Sequence, residues 1–390
     1  MSTVYTGIGE LTTNDPEVGG PAGDHDLLAR IPDAALVVEH GRVAWTGPAA
    51  QAPAADDRVD LGGRAVLPGW VDSHSHLVFA GDRTSEFEAR MAGKPYAAGG
   101  IATTVTATRA ATDDQLRAGL RRHVAEALAQ GTTTLETKTG YGLTVAEELR
   151  AARLAAEVTD EVSWLGAHIV APGVSPEDYL AELVGPQLEA VAGHVRWADV
   201  FCETGAFDEE QSRAVLLAAR GAGLGLRVHG NQLTQGPGVR LACELDAASV
   251  DHCNHLAPAD VDALAASDTV ATVLPACDLS TRQPLAPARR LLDAGAQVAI
   301  AANCNPGSSY TSSVAFCVAT AVLQMHLTVA EAVHAATFGG AQALRRTDVG
   351  RLTVGARADL HVLDAPSVTH LAYRPGVPLT HAVHRAHRPD

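Results

Sequence analysis

Two histidines one residue apart, His74 and His76, close an apolar run that starts at Leu67 and turns at Pro68-Gly69. Alternate side chains on a strand share a face, so such a pair aims two imidazoles at one point, which is how a divalent metal is gripped. Alone the pair is a weak signal, because 17 histidines in 390 residues produce such spacings by chance. Further along, Lys138, His168, His229, His252, Cys277-Asp278 and Asn303 also stand at the ends of short β-branched or apolar runs. Histidines at four separate strand ends meet at one mouth if the strands are parallel and closed into a ring. His123, His194 and His334 fall elsewhere and are expected to face solvent.

The elements that would position these residues alternate. Thr112-Asp-Asp-Gln115 has the form of a capping box, and Leu116, Leu120, Val124 and Leu128 follow at helical spacing until Gly131. Strands are expected over 131–138, 162–170, 198–203, 224–229, 248–252, 268–275 and 297–302, with helices opening near Thr144, Ser175, Asp208, Pro237, Pro258, Ala286 and Thr328. With the strand that leads into His74 this makes eight, the pattern of an α/β (β/α)8 TIM-like barrel whose site lies at the C-terminal strand ends. An open doubly wound sheet is the rival, but no G-x-G-x-x-G and no G-x-x-x-x-G-K follows a first strand. Residues 1–66 are β-rich, with a hairpin expected at His40-Gly41, and 350–364 share that Gly-punctuated character. The expected division is therefore a small β-sandwich domain from 1–66 plus 350–390, around a barrel spanning 67–349.

Composition narrows the function. Lys plus Arg is 29 against 45 Asp plus Glu, a formal charge of −16, so no basic stripe exists to hold nucleic acid or an anionic membrane. Aromatics are only 4%, which suits close-packed helices around a sheet better than a base-stacking surface. Six scattered cysteines without C-x-x-C spacing, and no signal-like opening segment, are those of a protein with free thiols in a reducing cytosol. No apolar run approaches the roughly 20 residues that cross a bilayer. A soluble, cytoplasmic chain acting on a small molecule is expected, with a homodimer as its assembly.

Several stretches then carry a resemblance over essentially the whole chain: Pro68 to Arg83, Gly99 to Arg109, Glu136 to Leu143, Gly166-Ala-His168 and Asn305-Pro-Gly-Ser-Ser309. The sequence resembles the amidohydrolase superfamily and, within it, the imidazolonepropionase family of histidine degradation. The H-x-H stretch points only to the superfamily, whereas Arg83, Tyr141 and Asn305-Pro-Gly point to that one activity. The resemblance implies hydrolytic opening of 4-imidazolone-5-propanoate to N-formimidoyl-L-glutamate with one Zn or Fe ion. It implies His74, His76 and His229 as metal ligands and Arg83 as the holder of the propanoate, a task suited to a guanidinium fork. Tyr141, His168, Gln232, Asn305, Gly307 and Ser308 match substrate-contacting positions, and His252 matches a histidine close to the reacting ring. The bland alternatives are a surface ion pair of Arg83 with Asp82 or Glu86, a turn at Tyr141, and a core His252 bonded to Asp251.

One position departs from the pattern. At the end of strand eight the superfamily has an Asp that ligates the metal and takes a proton, and this sequence has Asn303. An amide offers a neutral oxygen and is no general base. Gln232 stands where part of the family has Glu, so no acid replaces it there. Three neutral imidazoles still hold zinc in known chemistry. Proton transfer would fall to His252, Asp251 or Asp278. Three accounts fit: an exchange that disables the site, a divergent paralogue acting on another small cyclic amide or imidazole, or an active enzyme with its base elsewhere. A non-catalytic carboxylate binder that keeps the Arg83 pocket is the reading from outside enzymology.

Overall fold

The computed structural model describes residues 1–15, 26–94 and 100–386. Residues 16–25, 95–99 (with Gly99 of the resemblance) and 387–390 lie outside the described residues. The strands in chain order are β1 Ser2–Thr12, β2 Arg30–Glu39, β3 Arg42–Pro48, β4 Asp57–Pro68, β5 Trp70–Asp72, β6 Thr132–Lys138 and β7 Glu161–Ala167. They continue as β8 Trp197–Cys202, β9 Gly225–Gly230, β10 Ser249–His252, β11 Val270–Val273, β12 Val298–Ile300, β13 Leu360–Leu363 and β14 Thr380–His384. Contacts among the described residues group them into two compact units, Met1–Asp72 with Glu126–Thr134 and Ser313–Asp390, and Ser73–Ala125 with Leu135–Ser312.

Both ends of the chain build one six-stranded mixed sheet in the order β14-β13-β4-β1-β2-β3. The β2–β3 hairpin turns at His40 and Gly41, both with left-handed backbone (φ 50° and 72°), the twist a two-residue loop needs between right-twisted strands. Its core is aliphatic: Ile8, Leu11, Ile31, Leu36, Val43, Val66, Leu352, Leu360 and Val362 pack as one buried cluster.

The remaining strands form an eight-stranded sheet in the order β12-β11-β10-β9-β8-β7-β6-β5, with parallel neighbours from β6 to β12. Beyond β5 and β12 the chain goes on pairing. A parallel bridge joins Ser75 to Cys304, the Asn303 N–H donates to the His74 carbonyl at 3.0 Å, and the His76 N–H donates to the Cys304 carbonyl at 2.9 Å. These bonds close the ring at the C-terminal strand ends, giving the (β/α)8 barrel.

The caps fall where the sequence puts them. Thr112 and Gln115 bond each other's backbone N–H reciprocally ahead of the helix Asp113–Ala129. Thr144 accepts from the Glu147 N–H, Ser175 from Asp178, and Asp208 from Gln211. The helix Ile101–Ala110 was not legible beforehand, because its sequence IATTVTATRA is as β-branched as a strand. Its Thr106 hydroxyl bonds back to the Ala102 carbonyl at 2.9 Å, and Thr108 Oγ1 accepts the Ala80 N–H at 3.0 Å.

Candidate metal centre and pocket

Trp70 and Val71 of β5 are fully buried, and the chain leaves the strand with its alternation intact, so His74 and His76 emerge on one side. His74 Nδ1 lies 2.6 Å from Asp251 Oδ2 of β10, and His229 Nδ1 of β9 lies 3.0 Å from Asp199 Oδ1 of β8. A carboxylate at Nδ1 takes that nitrogen's proton as a hydrogen bond and leaves Nε2 as a bare lone pair, the tautomer a metal requires. The donor atoms of His74, His76 and His229 all lie within 4.8 Å of one another. His74 Nε2 and His76 Nε2 are 3.3 Å apart. An ion holding imidazoles at about 2.0–2.1 Å in tetrahedral geometry sets its donors about 3.3 Å apart, so this pair fits a metal. His229 Nε2 is buried with no hydrogen-bond partner among the described residues, the orphaned acceptor such a site would leave.

Burial sets the protonation states. It pushes His74 down to about 3, against the pull of Asp251, and His168 down to about 4. His76 and His252 are held well below the usual histidine range by the same burial and by their imidazole neighbours. Burial alone would raise Asp199 and Asp251, but His229 and Lys138 beside the first, and Arg227 and His74 beside the second, hold both below the usual carboxylate range.

One pocket collects most of the sequence candidates. Its walls include His76, Arg83, Tyr141, His168, His229, Gln232, His252, Asn303, Asn305 and Ser308, together with Ile101 and Phe201, which the sequence had not marked. His168 turns Nδ1 to the Gly140 carbonyl at 2.9 Å and stacks on His76. Tyr141 rides on a loop clamped by the buried Glu148, whose carboxylate accepts the N–H groups of Gly140, Gly142 and Leu143 at 3.1, 2.8 and 2.8 Å. Asn305 builds the next wall from its own side chain. Its Oδ1 accepts from the N–H groups of Gly307 and Ser308, both at 2.8 Å, and its Nδ2 donates to the Asn303 carbonyl at 2.7 Å. Gly307 packs on Arg83 so closely that a Cβ there would lie 2.1 Å from Nη1.

Of the readings of Arg83, the ion pair with Glu86 is present, with the arginine buried rather than at the surface. It is buried in the pocket wall and also pairs side-on with Glu86, Nε to Oε1 at 3.0 Å and Nη2 to Oε2 at 2.6 Å. His252 is not bonded to Asp251 as its core reading had it: that carboxylate is taken by His74, and His252 Nδ1 is buried without a hydrogen-bond partner among the described residues. Asp251 and Asp278 are not in the pocket wall. Asp278 accepts the Ala286 N–H at 3.2 Å, and burial pushes it up to about 7. Asn303 sits in the wall with a left-handed backbone (φ 53°), which Asn tolerates better than most residues, and its Oδ1 lies 3.1 Å from Asn305 Nδ2.

Two of the three histidines set aside are not solvent-facing. His123 is buried, stacked on Phe79 with ring centroids 5.1 Å apart, and burial pushes His334 down to about 4; His194 is exposed as expected. The sequence reading also missed Glu136, Asp199 and Arg227, buried charges beneath the histidines. Their signal was available: charged residues inside otherwise apolar strand runs need a partner inside the protein.

Comparison with known proteins follows the same line. The model of the amidohydrolase family matches residues 65–383. A protein named imidazolonepropionase from Saccharopolyspora erythraea is 68% identical over 388 residues, covering 98% of this chain and 97% of its own. Another of that name from Micrococcus luteus is 64% identical, covering 99% of both chains. Among solved structures, an atrazine chlorohydrolase from Arthrobacter aurescens complexed with zinc shares the fold with a TM-score of 0.73 at 18% identity, over 98% of this chain and 94% of that one. An adenosine deaminase from Xanthomonas campestris with bound zinc gives 0.72 at 19% identity, over 98% and 91%.

Proposed function

The chain belongs to the amidohydrolase family and, within it, to the imidazolonepropionases, and from that premise we propose how its barrel mouth opens the ring of 4-imidazolone-5-propanoate to give N-formimidoyl-L-glutamate. It is a cyclic amidohydrolase with a site for a divalent metal. We infer that His74, His76 and His229 hold that metal, Zn or Fe, with Asn303 at most a neutral fourth ligand. When bound, the metal supplies Lewis-acid polarisation of the ring carbonyl and lowers the pKa of water toward ~7.

The residues of the chain do the rest. Arg83 receives the propanoate on the part of its fork that Glu86 leaves, which fixes one end of the substrate. Tyr141, His168, Gln232, Asn305 and Ser308 line the space beside it and orient the ring, and Gly307 gives Arg83 room. Phe201 and Ile101 supply apolar wall that limits water around the ring. A neutral imidazole at His252 takes the proton from the attacking water and returns it to the leaving ring nitrogen. Asn303, an amide, holds no proton for this reaction, so turnover rests on His252.

The observation that carries this reading is a cluster of three imidazoles, His74, His76 and His229, of which the last two share a pocket wall with a buried arginine. The test is metal content by elemental analysis, with loss of imidazolone absorbance followed on the same sample. Bound metal with slow turnover is expected, and Asn303→Asp is expected to raise kcat by roughly 10²–10⁴, the usual worth of a placed general base. Neither metal nor turnover in both proteins would sink the proposal, and stabilisation by the substrate without any turnover would leave a carboxylate binder. The same reading includes the domain division at 66/67 and 349/350, a cytoplasmic location and a homodimer. Among the described residues no helix is long and apolar enough to cross a membrane.

A further inference from the structure

Beneath the three histidines the barrel strands bury five charged side chains: Glu136 and Lys138 on β6, Asp199 on β8, Arg227 on β9 and Asp251 on β10. Lys138 Nζ stands 2.9 Å from Glu136 Oε1, 2.8 Å from Asp199 Oδ2 and 3.7 Å from Asp251 Oδ2. The same two aspartates turn their other contacts upward, Asp199 to His229 Nδ1 and Asp251 to His74 Nδ1. Arg227 ties the layer to the first strand end, donating to the Ser73 carbonyl at 2.7 Å, and lies 3.4 Å from Asp251. Three carboxylates face two cations, so the layer carries one formal negative charge in excess.

Stability does not explain this arrangement. Burying several charges costs desolvation, and well-packed apolar residues of the same volume hold a core as well or better. A metal above the layer does explain it. An ammonium is a compact point cation with three donors, suited to fixing separate carboxylates at once. Each carboxylate in turn fixes the tautomer and aim of one imidazole. Asn303 brings no charge to the site, so a divalent ion there must be balanced from somewhere else.

We propose that Lys138 is a positioning residue that locks Asp199 and Asp251 behind His229 and His74, and that this layer's excess negative charge replaces the carboxylate ligand that Asn303 lacks. This rests on the reading of the histidines as metal ligands. Its logic is electrostatic as well as geometric: a buried negative charge a few ångströms behind the ligands acts through a medium that screens weakly.

The experiment is Zn²⁺ affinity of the full chain by competition with a chromophoric chelator, with the visible spectrum of the Co²⁺-loaded protein as a report on ligand geometry. Asp199→Asn, which loses a negative charge and the aim of His229, is expected to weaken Zn²⁺ binding about 10–100-fold and to shift the Co²⁺ bands. Lys138→Met leaves the layer more negative, so it is expected to shift the bands likewise with a smaller loss of affinity, because only the positioning is lost. Arg213→Ala, which removes an exposed ion pair with Glu244, should change neither. If Lys138→Met does not fold, the isosteric Asp199→Asn carries the test. Adding Asn303→Asp to Asp199→Asn should return at least a tenfold gain in affinity, and no gain would overturn the charge half of the proposal. A folded Asp199→Asn protein with wild-type affinity and an unchanged Co²⁺ spectrum overturns the positioning half. Wild-type protein that binds Zn²⁺ with this dependence yet never opens the imidazolone would instead remove the proposed function and leave this inference standing.

Discussion

The terminal sheet and the barrel are both buried β structure, and they fill their interiors with opposite materials. In the sheet, Ile8, Leu11, Leu36, Val66, Leu360 and Val362 meet as an aliphatic cluster. In the barrel, the residues beneath the histidines on β6, β8, β9 and β10 are Glu136, Lys138, Asp199, Arg227 and Asp251, every one essentially without solvent exposure. An aliphatic core asks only for volume and shape, and many sequences satisfy it. A charged core accepts one arrangement of partners, because each unpaired member costs several kcal/mol. The sheet spends its residues on holding together and the barrel on aiming imidazoles.

That contrast is sharpest under substitution. Arg227→Met removes a buried cation beside Asp251 and frees the Ser73 carbonyl next to His74, so the expected loss is about 3–5 kcal/mol in chemical denaturation, with metal affinity falling as His74 loses its aim. Leu36→Ala in the sheet leaves a cavity and should cost about 2–5 kcal/mol while the affinity of the folded protein for Zn²⁺ stays where it was. If Leu36→Ala weakened metal binding as much as Arg227→Met does, the division of labour between the two regions would be wrong.

The same contrast decides what could be read without coordinates. The barrel was legible because its helices start with side-chain caps at Thr112, Thr144, Ser175 and Asp208, and its strands are short and β-branched. The histidines were legible because each ends such a strand. What sits behind them was not, because Asp199 and Arg227 give no local periodic signal and acquire meaning only when β8 and β9 pair and set Asp199 opposite Arg227. Glu148 was hidden for a like reason: its partners are backbone N–H groups of a loop several residues before it. Asn303 was visible as a departure, but its left-handed backbone and its place beside Asn305 were not.

The terminal sheet buries a histidine, and it makes a pH test. His361 on β13 is buried, lies 2.9 Å from Thr380 Oγ1 and has no carboxylate among its hydrogen-bond or ion-pair partners in the described residues; burial pushes it down to about 3. The unfolded chain therefore binds the proton first as pH falls below ~6.5. The His361 share of stability is full above that pH and declines toward 3 by up to about 1.4 kcal/mol per pH unit, so roughly 2 kcal/mol of it is lost by pH 5, and the buried site histidines add their own shares when no metal holds them. His334, held at about 4 by burial, adds a like decline over its shorter range. Denaturation midpoints at pH 7 and pH 5 check the slope, and His361→Gln should remove close to one proton's share of it.

The smallest expected stability change comes from repeating the Arg227 experiment at the mouth. Arg83 and Glu86 are an arginine and its carboxylate, like Arg227 and Asp251, but the Glu86 side chain is 36% exposed where Asp251 is fully buried. The amide that Glu86→Gln leaves still offers an oxygen to the buried Arg83, and water reaches the Glu86 side of the pair, so the stability change should be about 1 kcal/mol, well short of the Arg227 loss. Binding should respond as well. Side-on pairing at Nε and Nη2 fixes the guanidinium plane, and without it Arg83 must be ordered by the incoming propanoate. A loss of about 1 kcal/mol in binding is a roughly fivefold rise in KM, with kcat unchanged because the propanoate lies away from the breaking bond. A fall in KM would show instead that Glu86 competes with the substrate for the fork. The charge at the mouth would then act as a gate, and only the layer beneath the histidines would use carboxylates to aim a partner.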